Sequence, residues 1–170
     1  AAIAAALDIL SGELGISRIT LVRELASPLP RAVGNAVEIQ QVVLNLLRNS
    51  IDAVSDGESD RQIRIRTERE ESRWVRITVE DSGPGIPVQV QQRLFEPFFT
   101  TKREGMGIGL LICRTIIEEH GGELQIRSGP DGGTIASFSL AVARDIVSKR
   151  NEPGASDGKP QPGSADRQGE

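Results

Sequence analysis

Apolar residues recur along the chain with two distinct periods, and each period predicts a different kind of element. Ile39, Val42, Val43, Leu46, Leu47, Ile51 and Val54 stand at the spacing of an amphipathic helix, predicted from Val37 to Val54. Ile3, Leu7, Leu10 and Leu14 repeat that pattern in an alanine-rich opening helix, Ala1 to Leu14, which Gly15 is expected to end. A third apolar helical side, Leu110, Leu111, Ile112, Thr115, Ile116 and Ile117, follows Gly109. Elsewhere the period drops to two. Ile63 and Ile65 alternate with Arg64 and Arg66, while Val75, Ile77 and Val79 alternate with Arg76, Thr78 and Glu80. These read as half-buried strands, and the turn from Glu68 to Ser72 makes them an antiparallel hairpin. Ile19, Leu21 and Leu25 predict an earlier strand closed by Ser27-Pro28-Leu29-Pro30, with an extended connection from Pro30 to Ala36. Leu124 and Ile126 begin another strand, and Asp131-Gly132-Gly133 turns the chain into a last one, Thr134 to Val142. Four or five strands with about three helices predict an α+β fold, a two-layer α/β sandwich. Its sheet is mixed but mostly antiparallel, with the helices on one face.

Some polar and glycine positions serve ends that packing does not require. Asn45, Asn49 and Asp52 share one face of the predicted Val37–Val54 helix, at i, i+4 and i+7. Asparagine is a mediocre helix former because its side chain competes for backbone hydrogen bonds. A pair stacked one turn apart points to a task for amide oxygens, which are hard ligands of the kind Mg²⁺ accepts; the alternative is a merely polar face. Glycines cluster at Asp81-Ser82-Gly83-Pro84-Gly85, where a strand ends, and at Gly105-Met106-Gly107-Ile108-Gly109, where a helix starts. Glycine there lets backbone approach a ligand, and free N–H groups at a helix start favour phosphate. Either cluster alone could be an ordinary turn, but the segment between them carries Phe98-Phe99-Thr100-Thr101-Lys102.

Composition narrows the class. The 170 residues suffice for one sizeable core plus an extra segment. A net charge of −4 advertises no strongly basic surface for nucleic acid. The single cysteine, Cys113, falls in a predicted buried helix, which excludes an internal disulfide and fits a reducing, cytoplasmic compartment. No apolar run approaches the roughly 20 residues of a membrane span, so no membrane contact is expected of this segment. The absence of a starting methionine suggests a piece of a longer protein. Ser148 to Glu170 contains no Val, Ile, Leu, Met or aromatic residue and is expected to be a disordered tail or linker.

Taken in order, these motifs resemble the ATP-binding catalytic domain of sensor histidine kinases, in the gyrase, Hsp90, histidine-kinase and MutL ATPase superfamily. Gln41 to Ala53 is similar to the family's N box, Asp81 to Gly85 to its first glycine box, and Leu94 to Phe99 to its F box. Gly105 to Leu110 resembles the second glycine box, and Gly132-Gly133-Thr134 the last. The wording is closest to the nitrogen-regulation and nitrogen-fixation (FixL-like) branch, and the resemblance covers about residues 14 to 142.

The resemblance implies a Bergerat-type fold that uses ATP and Mg²⁺. Asn49 would hold the metal through its amide oxygen. Asp81 would accept a hydrogen bond from the adenine amino group, with Thr134 assisting through a water. Gly83 and Gly85 would leave room for the purine. Phe95 to Gly105 resembles a mobile lid anchored by Phe95, Phe98 and Phe99, with Lys102 a candidate phosphate contact. Backbone around Gly107 and Gly109 would cradle phosphate. Asn45, Asn49 and Lys102 are the implied catalytic set. The implied nucleotide contacts also include Arg48, Asp52, Ile86, Phe98, Thr100, Thr101, Gly105, Met106, Ile108 and Leu110. Residues 1–13 would end an upstream helix, 14–147 form the catalytic domain, and 148–170 the tail. The implied activity is transfer of the γ-phosphoryl group to a histidine on an upstream dimerisation domain, then relay to a response-regulator aspartate. The full-length protein would be a homodimer and this fragment a monomer.

Two departures from the family pattern stand out. Many relatives carry Lys or Arg three residues after the metal asparagine, where this chain has Asp52; Arg48 could supply that charge or point to solvent. The only histidine, His120, matches the catalytic domain's own pattern and is expected to sit structurally at a helix end, so the phosphate acceptor is missing. ATP-hydrolysing relatives place a glutamate base where this chain has Asn45, which cannot take a proton from water. A serine kinase of the superfamily is a further option, which the F box counts against, and a non-catalytic nucleotide-binding module is a rival from another class.

Overall fold

The computed structural model describes residues 1–55, 61–71, 73–100 and 106–143. The elements in chain order are α1 (Ala2–Ile16), β1 (Thr20–Leu25), α2 (Ala36–Ser55), β2 (Gln62–Glu70), β3 (Trp74–Asp81), α3 (Val88–Gln91), α4 (Gly109–Glu119), β4 (Leu124–Ser128) and β5 (Thr134–Ala141). The expected tail from Ser148 to Glu170 lies outside the described residues.

The period-two segments pair as expected. The five strands form one sheet in the order β1-β2-β3-β5-β4. β2 and β3 are an antiparallel hairpin that pairs Ile65 with Val79, and β5 runs antiparallel to both β3 and β4. β1 joins β2 in parallel, because α2 is the crossover that parallel neighbours require. Alternation then sorts the two faces. Ile63, Ile65, Val75, Ile77, Val79, Phe138 and Leu140 are buried in one core with Val42, Val43, Leu46 and Leu47 of α2 and Ile117 of α4. The intervening residues carry charge: Arg64 bridges Glu24 at 3.3 Å and Glu80 at 3.4 Å, and Arg66 reaches Glu80 at 3.2 Å. Such half-exposed pairs are each worth only about 0–1 kcal/mol, so the helix-covered face holds the fold together.

Three details differ from the sequence reading. α1 runs through Gly15 to Ile16, and the residue that turns left-handed is Arg18, at φ 51°. Hydrogen bonds from Ser17 N–H to Glu13 and from Ile19 N–H to Leu14 close the helix end, so the turn did not need glycine. β1 is an edge strand that starts after Ile19, with Leu21 partly packed on the core and Leu25 exposed. On α4 the buried positions are Cys113, Ile116 and Ile117. Thr115 is exposed and turns its hydroxyl back to the Leu111 carbonyl at 3.1 Å.

The helix ends are tied to each other. Asn35 caps α2, its side-chain oxygen accepting the Val37 N–H at 3.0 Å. His120, the C-cap of α4, accepts the Asn35 N–H on Nε2 at 3.0 Å and has Nδ1 2.7 Å from the Ile116 carbonyl. The expectation of a structural histidine at a helix end is met.

Candidate functional site

Asp81 stands where β3 ends, opposite Thr134 in the β3–β5 register. Its Oδ1 accepts the Gly83 N–H at 3.0 Å and the Thr134 N–H at 3.1 Å, and its Oδ2 accepts the Ser50 hydroxyl at 3.2 Å. Burial pushes the Asp81 carboxyl above its usual range, and these hydrogen bonds pull back against that shift. A carboxylate offers about four acceptor positions. With these three engaged and the Thr134 hydroxyl also set against the carboxylate, the side chain is fixed beside Thr134. The close approach of Gly133 to β3 builds this corner. Gly133 has φ +73°, and a Cβ there would fall 1.9 Å from the Asp81 carbonyl oxygen.

Ser50 was not singled out from the sequence, yet it ties α2 to Asp81. Its place on the apolar stripe of α2, directly after Asn49, marks it for burial, and it is 4% exposed, but nothing in the local sequence names Asp81 as its partner. Ser50→Ala is expected to lower stability at neutral pH by about 1–3 kcal/mol, the worth of a hydrogen bond to a charged group. It should also raise the Asp81 pKa further. A carboxylate titration unchanged by the substitution, followed by NMR, would remove Ser50 from the site.

The other residues of α2 divide by exposure. Asn45 and Asn49 are half-buried, whereas Arg48 and Asp52 are exposed. Asn45 donates from Nδ2 to the Cys113 sulfur at 3.5 Å. Because Ser50 touches Asp81, the turn of α2 that carries Asn49 lies next to the end of β3.

Beyond Asp81 the chain is pinned at Ile86. Its N–H donates to Ser128 Oγ at 3.0 Å, and its carbonyl accepts from Gln91 Nε2 at 3.0 Å. Gly85, at φ +78°, lies beside Gly133 and Ser128. The aromatic segment follows. Phe95 packs on the core with Arg114 5.2 Å above its ring, and Arg93 lies 4.2 Å over Phe99. Phe98 does not anchor, contrary to expectation: it is 79% exposed. The reason is the left-handed turn at Phe98, φ 63°, which lays the backbone of Phe98 and Phe99 against Gly107.

Gly107 itself has φ +66°, and a Cβ on it would meet the Phe98 carbonyl carbon at 2.5 Å. Gly107→Ala should therefore cost about 1–3 kcal/mol of stability. An unchanged urea midpoint would show that this contact is dispensable. Of the remaining positions, Thr100 and Met106 are exposed, Ile108 is the N-cap of α4, and Gly109 and Leu110 open that helix. Leu110 is partly packed on the core. Thr101, Lys102 and Gly105 lie outside the described residues.

A larger hollow of about 360 Å³ opens at the far end of β3, lined by Glu70, Glu71, Trp74, Arg76 and Glu123 among others. It holds none of the motif residues. A smaller hollow of about 90 Å³ reaches Asp81 from the sheet face that the helices leave open, lined also by Gln62, Arg64, Glu80 and Ser82, and it is not the side on which α2 and α4 lie. The motif chemistry gathers around Asp81, so the site is assigned there.

A family model described as histidine kinase-, DNA gyrase B- and HSP90-like ATPase matches residues 34–144. The chain belongs to this ATPase family. It is 42% identical over 106 residues to the C4-dicarboxylate transport sensor protein DctB of Rhizobium meliloti, covering 62% of this chain and 17% of that protein. Sensor protein TdiS of Thauera aromatica is 39% identical over 141 residues, which is 80% of this chain and 25% of its own length. Among solved structures, the nucleotide-free catalytic domain of histidine kinase ThkA superposes with a TM-score of 0.74 at 33% identity. That match covers 83% of this chain and 90% of that one. The chain thus spans a quarter or less of these curated relatives, and nearly the whole of a solved catalytic domain.

Within this ATPase family the α/β sandwich is the expected fold, and ATP is the nucleotide that its ATPases use. The described residues bring together Asp81, Ser50, Thr134 and the Gly83–Gly85 loop, with Asn45 and Asn49 on the adjoining helix. No helix among the described residues is long and apolar enough to cross a membrane.

Proposed function

We propose that this chain binds Mg-ATP between α2, the end of β3 and the start of α4. From there it donates the γ-phosphoryl group to a histidine on an upstream dimerisation domain, for relay to a response-regulator aspartate. One observation carries the reading: the Asp81 carboxylate is locked at a strand end beside Thr134, and Ser50 joins it to the helix that bears Asn45 and Asn49. An acceptor so placed suits the exocyclic amine of adenine, with Thr134 beside it and Gly83 and Gly85 leaving space for the ring. A Cβ on Gly83 would stand 2.9 Å from Asp81 Oδ1 and 3.0 Å from Ala53 Cβ, so glycine also lets this turn close on α2. The opening turn of α4 offers N–H groups without intrahelical acceptors to the phosphates, around Gly107, Ile108, Gly109 and Leu110.

The donor chemistry fits the metal as well. Asn49 provides a hard amide oxygen next to the Asp81 corner, and Asn45 provides a second one turn earlier. When bound, Mg²⁺ neutralises phosphate charge and aligns the transferred group. Asn49 is the residue assigned to hold it. Lys102, Thr100, Thr101, Arg48, Asp52 and Met106 are proposed to line the phosphate side.

A solved relative supports the choice of partner. Histidine kinase ThkA is known in complex with response regulator protein TrrA, in a structure 29% identical to this chain, and a response regulator is the partner proposed here. We assign residues 1–13 to the end of an upstream helix and 14–147 to the ATP-binding domain, in a cytoplasmic, homodimeric parent. His120 has both ring nitrogens engaged within the fold, so the acceptor histidine is assigned to the upstream domain. Hydrolysis to water is disfavoured, because Asn45 offers no basic oxygen.

Calorimetry tests the reading. Mg-ATP or Mg-ADP should bind the monomeric chain with a Kd in the micromolar range, about −8 kcal/mol. No binding at millimolar nucleotide would overturn it.

A further inference from the structure

We infer that Cys113 is a positioning residue for Asn45: its sulfur holds the amide NH₂ group, leaving the amide oxygen as the end presented on the Asn49 face of α2. The inference rests on the nucleotide reading above and adds a residue to it. Cys113 lies on α4 with 0% exposure, facing α2. Its Sγ is 3.5 Å from Asn45 Nδ2 and 4.0 Å from the Val42 carbonyl oxygen, the long limit for an S–H···O contact.

The structure sets Asn45 Nδ2, not Oδ1, against the sulfur, and this polarity leaves the thiol hydrogen to turn to the Val42 carbonyl. The sulfur's lone pairs then face Asn45, and lone pairs call for the NH₂ end. The thiol hydrogen is present at neutral pH, since burial pushes the Cys113 pKa up to about 11. The oxygen of a planar amide lies opposite its NH₂ group. On Asn45 that oxygen sits one helical turn before Asn49, where it suits the donor hydrogens of water bound to a divalent cation. An NH₂ group in that place would meet those hydrogens donor to donor.

A buried cysteine is commonly a small apolar filler, and four proteins separate that role from positioning: the wild type, Cys113→Ser, Cys113→Ala and Cys113→Val. Serine keeps a lone pair for Asn45. Alanine and valine remove it, and valine keeps the volume. Two readouts apply. In NMR, the Asn45 side-chain amide hydrogens should exchange slowly in the wild type and the serine variant, and fast in the other two. In calorimetry, the gain in ADP affinity on adding Mg²⁺ should fall about three- to tenfold in the alanine and valine variants, the fold-change of one hydrogen bond. That gain should persist in the serine variant, and adenosine affinity should be equal in all four. Slow amide exchange together with a full Mg²⁺ gain in Cys113→Val would overturn the inference. ADP binding that is absent from the wild type would instead remove the nucleotide reading, and amide exchange alone would then decide whether sulfur holds Asn45.

Discussion

Asp81→Asn is expected to abolish most adenine recognition while leaving the fold intact. The asymmetry comes from the three donors around the carboxylate. The new amide keeps its single oxygen toward the Gly83 and Thr134 N–H groups, and its NH₂ takes the place of Oδ2, where the Ser50 hydroxyl can rotate to accept. Every one of these protein contacts therefore survives. What is lost is the acceptor for the ligand, because an amide NH₂ now faces the adenine amino group. A mispaired polar contact of this kind costs about 1–3 kcal/mol, roughly a tenfold to hundredfold loss in ATP affinity. If ATP and GTP affinities both stayed at wild-type values in calorimetry, Asp81 would lose its role.

The same residue predicts two pH trends that run in opposite directions. Burial raises the Asp81 pKa in the folded chain above the 3.8 of an ordinary aspartate. The folded state thus holds this proton more tightly than the unfolded state does. Stability associated with the protonated form is present below 3.8 and is lost as pH rises through the folded pKa. Ligand affinity moves the other way, since the ionised carboxylate is the better acceptor. Nucleotide binding should weaken on acidification at a pH above that of an ordinary aspartate. Asp81→Asn should remove both trends, which urea denaturation and calorimetry across pH would show.

Much of this architecture is legible because burial writes itself into periodicity. The alternation of Ile63 and Ile65 with Arg64 and Arg66 gave a strand, its face and its hairpin partner. The stripe from Ile39 to Val54 gave the central helix to within a residue at each end. Pairwise chemistry between distant elements is not periodic and was harder to read. Ser50 matters through a residue 31 positions away, and Cys113 through one 68 positions away, and neither separation leaves a mark in the local sequence. Phe98 misled for a related reason. Aromatic composition suggested an anchor, but a left-handed backbone turn against Gly107 decided which rings pack and which project. Arg18 in place of Gly15 at the end of α1 is the same lesson at a helix terminus.

Asn49→Ala should separate phosphate positioning from purine binding. Asn49 sits beside Ser50, which contacts Asp81, but its own side chain is assigned to the metal and not to the base. Removing the amide oxygen takes away the protein's grip on Mg²⁺ and leaves the Asp81 corner as it was. Alignment dominates phosphoryl transfer, and small misplacements cost on the order of a hundredfold in rate. Mixed with a separate histidine-bearing dimerisation domain and labelled ATP, the wild-type chain should label that histidine slowly. The Asn49→Ala chain should fall below it by at least that factor, with adenosine affinity unchanged. Neither chain should label itself, because both nitrogens of His120 are committed to Asn35 and Ile116. Stable self-labelling at His120, or steady ATP hydrolysis with no acceptor present, would mean that Asn45 supports attack by water and that the acceptor was wrongly assigned to another domain.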